Sequence, residues 1–135
     1  MVTLEHIGIA VKELASSIPL FEKLLNSQCY KTEQVPGENV NTAFFKTGSS
    51  KVELLEAVNP NSVISKYIDR KGEGIHHIAF EVSDLKAEME RLKKEGFTLL
   101  NDTPREGADN KLVCFLHPKG TNGVLIELCM EKKTS

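Results

Sequence analysis

From position 4 to 11, apolar residues alternate with small or polar ones. Ile7, Ile9 and Val11 fall on one face, and His6, Gly8 and Ala10 on the other. This predicts a strand with one apolar face and one open face. The period then changes, because Leu14, Ile18, Phe21 and Leu25 recur at helical spacing. Pro19 fits if the helix starts near Ala15 to Ser17, which leaves the proline in the first turn, and a helix to about Asn26 is expected. Three more strands are predicted over about 28–35, 40–47 and 51–57, with Gly48-Ser49-Ser50 as a hairpin turn.

The pattern returns 71 positions later (77 − 6 = 71). His6-Ile7-Gly8-Ile9-Ala10-Val11 is matched by His77-Ile78-Ala79-Phe80-Glu81-Val82, and Leu14, Ile18 and Phe21 by Leu85, Met89 and Leu92. Ser83 or Asp84 can cap the second helix and Gly96 can end it. Strands over about 97–102, 111–117 and 123–130 follow, with a longer turn at Lys119-Gly120-Thr121-Asn122-Gly123. Each half therefore reads as strand, helix and three strands, an α+β pattern used twice. Pro60-Asn61-Ser62 can start a short helix to Asp69, before a Gly72-Glu73-Gly74 hinge. We expect one domain: module one over about 3–58, a connector over about 59–73 and module two over about 74–131.

A chain of 135 residues with 40% apolar content can bury one sizeable core. The net charge of −2, with lysines scattered among acids, gives no nucleic-acid footprint. The N-terminus lacks the sections of a secretory signal, and no apolar run approaches the ~20 residues that span a bilayer. A soluble, cytoplasmic protein with a small-molecule partner is expected. Cys29, Cys114 and Cys129 form no C-x-x-C pair and read as small core hydrophobes.

The chemistry lies where the repeat places it. Each copy ends in an apolar strand containing a glutamate, Val52-Glu53-Leu54-Leu55 and Leu125-Ile126-Glu127-Leu128. Strand alternation sets each carboxylate opposite its apolar neighbours, and a carboxylate buried in such a strand is costly without a partner. Exposed edge-strand glutamates beside structural histidines are the plainer reading of any one of these residues. Their matched recurrence favours His6, Glu53, His77 and Glu127 as ligands of one divalent metal. The repeat register selects His77 over His76, which falls on the opposite face. His117, before Pro118, is expected in structural hydrogen bonding, and Lys119 in a solvated turn. Nitrogen and oxygen donors without thiolate suit zinc, cobalt, nickel, manganese or ferrous iron. Such an ion could stabilise an enolate while a neighbouring glutamate carries the proton.

Four stretches carry a specific resemblance: His6 to Val11, Val52 to Glu56, Gly72 to Phe80, and His117-Pro118-Lys119-Gly120 followed by Gly123 to Leu128. From about residue 3 to 131 the chain resembles the methylmalonyl-CoA epimerases of the vicinal oxygen chelate superfamily, which also holds glyoxalase I and extradiol dioxygenases. The resemblance implies tandem βαβββ modules forming a cupped mixed β-sheet around a metal site, cobalt being frequent, and a homodimer. It implies His6, His77 and Glu127 as ligands, with Glu53 where some relatives place glutamine. The implied reaction interconverts (R)- and (S)-methylmalonyl-CoA through an enolate, with Glu127 the first candidate base. The chain departs from the family pattern near Thr42-Ala43-Phe44, where some members carry a second catalytic glutamate. Glu53, Glu38 or water could take that role. The competing readings are a glyoxalase-like lactoylglutathione lyase and a metal-free small-molecule binding or resistance module; a ring-cleaving dioxygenase, which usually has a longer chain, fits less well.

Overall fold

In the computed structural model, which describes residues 2–133, the chain forms two compact units. One runs from His6 to His76, and the other from His77 onward together with the first residues up to Glu5.

Unit one follows the expected order: strand β1 (Thr3–Ala10), helix α1 (Leu14–Leu25), strands β2 (Lys31–Val35), β3 (Val40–Thr47) and β4 (Ser50–Ala57), then helix α2 (Val63–Lys71). Its strands lie in the order β2-β3-β4-β1, with β1 parallel to β4 and the other pairs antiparallel. The apolar stripe of α1, Leu14, Ile18, Phe21 and Leu25, packs on Val11, Ala43, Phe45 and Leu54. Phe21 and Phe45 meet with ring centroids 6.2 Å apart. Fully burying such a side chain supplies roughly 1.5–3 kcal/mol; Leu14 is buried and the other three half-buried, which together draws the helix onto this face.

The helix starts earlier than Pro19 suggested. It begins at Leu14, so the proline lies in the second turn and has no N–H for the Ala15 carbonyl. Packing of Leu14 and the stripe outweighs that missing bond. The helix ends at Asn26, whose left-handed backbone, at φ 50°, brings the Ser27 N–H to the Glu22 carbonyl at 3.2 Å. Gly48, at φ 69°, makes the tight hairpin between Thr47 and Ser50. Ser62 caps α2 by accepting the Ile64 N–H at 3.2 Å.

Unit two repeats the plan with strand β5 (Gly74–Glu81), helix α3 (Leu85–Lys94), and strands β6 (Arg105–Glu106), β7 (Lys111–Leu116) and β8 (Ile126–Glu131). Their order is β5-β8-β7-β6, and β5 runs parallel to β8. Asp84 caps α3 by accepting the Ala87 N–H at 3.1 Å. Leu85, Met89 and Leu92 pack on Val82, Cys114, Leu116 and Leu128.

Two expected strands are shortened here. Over 97–102 there is a single bridge, Leu99 to Leu116, and the paired edge strand is Arg105–Glu106 instead. Asn101 accounts for the change. Its side-chain oxygen accepts the Phe115 N–H at 3.0 Å, and its amide donates to the Thr103 and Val113 carbonyls at 2.7 and 3.2 Å. The side chain thus takes bonds that a continuing backbone ladder would use. The last strand begins at Ile126 rather than 123, because Pro118–Gly120 forms a 3-10 turn closed by the Gly123 N–H on the Pro118 carbonyl at 2.8 Å.

Candidate metal centre

In unit one, Gly8 faces Glu53 across the parallel pair β1 and β4. His6, two residues before Gly8, shares that face, away from α1. Its Nδ1 lies 3.1 Å from Glu53 Oε2, and both side chains are buried. Phe44, opposite Glu53 on β3, is fully buried beside the pair. The Nζ atoms of Lys31 and Lys51 lie 4.8 and 6.0 Å from its ring centroid.

In unit two, Ala79 faces Glu127 across the parallel pair β5 and β8, and His77 precedes Ala79 by two. His77 Nε2 lies 3.2 Å from Glu127 Oε1, and both residues are buried. In each unit the residue two beyond the histidine stands opposite the glutamate, so the sequence repeat extends to strand register. Phe115, opposite Glu127, meets the His77 ring edge-on at 5.8 Å, and the Arg105 guanidinium lies 5.5 Å from the Phe115 centroid. Burial pushes the pKa of His77 down to about 4. At neutral pH it is an uncharged imidazole, the form that ligates metals.

His6, His77 and Glu127 each offer a buried donor atom suited to a metal ion. The remaining candidates lie elsewhere. His76 packs edge-on against Tyr67, with centroids 4.9 Å apart. His117 is exposed and accepts the Lys119 N–H at 3.0 Å, the structural role expected of it. Cys114 and Cys129 are fully buried; Cys29 is half-buried, its thiol 3.2 Å from the Lys31 carbonyl. Burial raises the thiol pKa of Cys114 and Cys129, so both behave as inert core groups. Glu38 sits half-buried in the 3-10 turn Pro36–Glu38.

The burial of Glu5, Ser17, Thr42 and Lys111 was not foreseen from the sequence, and two of these residues matter most. Lys111, 6% exposed, bonds Glu131 and lies 3.7 Å from Glu81 and 4.0 Å from Glu5. Desolvation works against its charge, but the Glu131 bond and the carboxylates of Glu5, Glu131 and Glu81 outweigh it and hold its pKa above the usual lysine value. Alternation could have placed it, since Lys111 shares a face with Val113 and Phe115. The other is Thr42, 1% exposed on β3.

The profile of the Glyoxalase/Bleomycin resistance protein/Dioxygenase superfamily matches residues 5–115, and the chain belongs to that superfamily. It is 39% identical over 129 residues to the protein named "Uncharacterized protein YqjC" of Bacillus subtilis (strain 168), covering 96% of this chain and 92% of the relative. It is 35% identical over 127 residues to the ethylmalonyl-CoA/methylmalonyl-CoA epimerase of Cereibacter sphaeroides, covering 93% and 95%. Among solved structures, a methylmalonyl-CoA epimerase in complex with methylmalonyl-CoA and NH4+ superposes with a TM-score of 0.93 at 32% identity, covering 97% of this chain and 95% of that one.

Proposed function

We propose that the protein is a methylmalonyl-CoA epimerase in which His6, Glu53, His77 and Glu127 hold one divalent cation. The observation that carries the reading is the pair of buried histidine–glutamate contacts set by one register rule in both units. Relatives named as epimerases of methylmalonyl-CoA support the choice of substrate.

The donor chemistry fits a cation. Two imidazole nitrogens and two carboxylates suit a first-row divalent metal, and the buried thiols take no part. Cobalt is the ion the family resemblance favours, with zinc, manganese or nickel as alternatives. Bound there, a divalent ion would lower the cost of negative charge on the thioester and carboxylate oxygens.

The chain's own groups do the rest. Glu127 removes the proton between thioester and carboxylate, a transfer worth roughly 10²–10⁴-fold when a carboxylate is positioned for it. Return to the opposite face needs a second group, and we assign Glu53, which is buried beside His6, over the half-buried turn residue Glu38. Phe44 and Phe115 keep water from the two pairs. We further read the enzyme as a homodimer, on the family resemblance; sedimentation measures its assembly.

The test incubates metal-loaded protein in D2O with methylmalonyl-CoA and, separately, with the thiohemiacetal of methylglyoxal and glutathione. Deuterium entering methylmalonyl-CoA, lost on chelation, is expected. Turnover of the thiohemiacetal alone would replace this reading with the glyoxalase one.

A further inference from the structure

Thr42 Oγ1 is the buried side-chain polar atom that lacks a hydrogen-bond partner among the described residues. It lies on β3 with Glu33 opposite on β2 and Leu55 opposite on β4. Two residues along, Phe44 stands opposite Glu53, so Thr42 shares the face that carries Glu53 and His6 and is diagonal to Glu53, at the usual Cβ spacing of about 7 Å. Glu33 turns instead to Lys31, at 3.6 Å.

A buried hydroxyl without a partner is unfavourable, and valine has nearly the same shape with no such penalty. Among the buried polar side chains of this unit, His6 and Glu53 meet each other and Ser62 caps a helix. Among the described residues, Thr42 carries the fully buried side-chain polar atom that the fold leaves without a hydrogen bond. A threonine hydroxyl is no base at neutral pH, but it donates one hydrogen bond. The fitting acceptor is a carbonyl or carboxylate oxygen brought to this face by a ligand.

We propose that Thr42 is a substrate-binding residue whose hydroxyl donates to an oxygen of the bound acyl group, an assignment that rests on the acyl-CoA reading above. The free protein then bears the cost of an unpaired hydroxyl that the substrate relieves. This predicts opposite effects of one substitution on stability and on binding.

The test compares wild type, Thr42→Val and Thr42→Ser. Urea unfolding is measured without ligand, and calorimetry of the metal-loaded proteins uses methylmalonyl-CoA and CoA lacking the acyl group. Thr42→Val should be at least as stable as wild type, bind methylmalonyl-CoA about tenfold more weakly and bind CoA unchanged. Thr42→Ser should keep most of the affinity. Unchanged methylmalonyl-CoA binding by Thr42→Val, equal loss for both ligands together with lower stability, or serine behaving as valine would overturn the assignment. Wild type that binds methylmalonyl-CoA no better than CoA would defeat the acyl-CoA reading itself, and Thr42 with it.

Discussion

In unit one the residue two beyond His6 faces Glu53, and in unit two the residue two beyond His77 faces Glu127. Yet the imidazoles meet their carboxylates differently, through Nδ1 in one and Nε2 in the other. Their surroundings differ more. Glu53 has Phe44 opposite, flanked by lysines, with the unpartnered Thr42 along the strand. Glu127 has Phe115 opposite, with Arg105 against that ring and the Lys111 cluster farther along. The parallel strand pair decides where a donor sits, while the neighbouring strands decide what it can do. A repeated backbone can thus place equivalent histidine–glutamate pairs in two settings.

The sharpest break in that equivalence should be catalytic. Glu127→Gln is expected to cut solvent exchange into methylmalonyl-CoA by roughly 10²–10⁴-fold. Glu53→Gln should slow interconversion of the two epimers more than it slows exchange. Proton NMR in D2O reads exchange and a stereospecific coupling enzyme reads interconversion, and equal loss of both by each variant would contradict two-base chemistry.

The helix faces should respond alike. Phe45→Ala, under α1, and Met89→Ala, in α3, should cost about 3–5 and about 2–5 kcal/mol by urea unfolding. A silent substitution in one unit would show that its helix packs loosely. Asn101→Ala sharpens the contrast between edges, because it removes bonds that stand in for a ladder in unit two. It should cost roughly 1–3 kcal/mol through the Phe115 N–H left unpaired.

Lys111 should give the smallest effect. Its folded pKa lies above the unfolded value, so its contribution is fully present below about 10.4 and is lost as pH rises through the folded pKa. Urea midpoints taken from neutral to strongly alkaline pH should fall less steeply for Lys111→Met than for wild type.

Much of this was legible in the chain. The period-two pattern around His6 and His77, with glutamates in matching apolar strands, showed the repeated strand–helix order, the helix faces and the opposite facing of His76 and His77. What stayed hidden depends on neighbours distant in sequence. Asn101 reads as an ordinary strand residue until its amide is seen bonding β7. Pro19 argued for a later helix start because the packing of Leu14 is tertiary. Thr42 and Lys111 belong to residue types usually found exposed, and although alternation puts them on the faces of Phe44 and Phe115, their burial also needs the neighbouring strands, which lie far off in sequence.

Both histidine–glutamate pairs are proposed to serve one ion, and a cobalt titration with direct measurement of bound metal decides it. Wild type should bind one ion per chain, and His6→Ala and His77→Ala should each remove that single site. Two ions in wild type, with each substitution removing one, would contradict the account, as would binding that neither substitution changes.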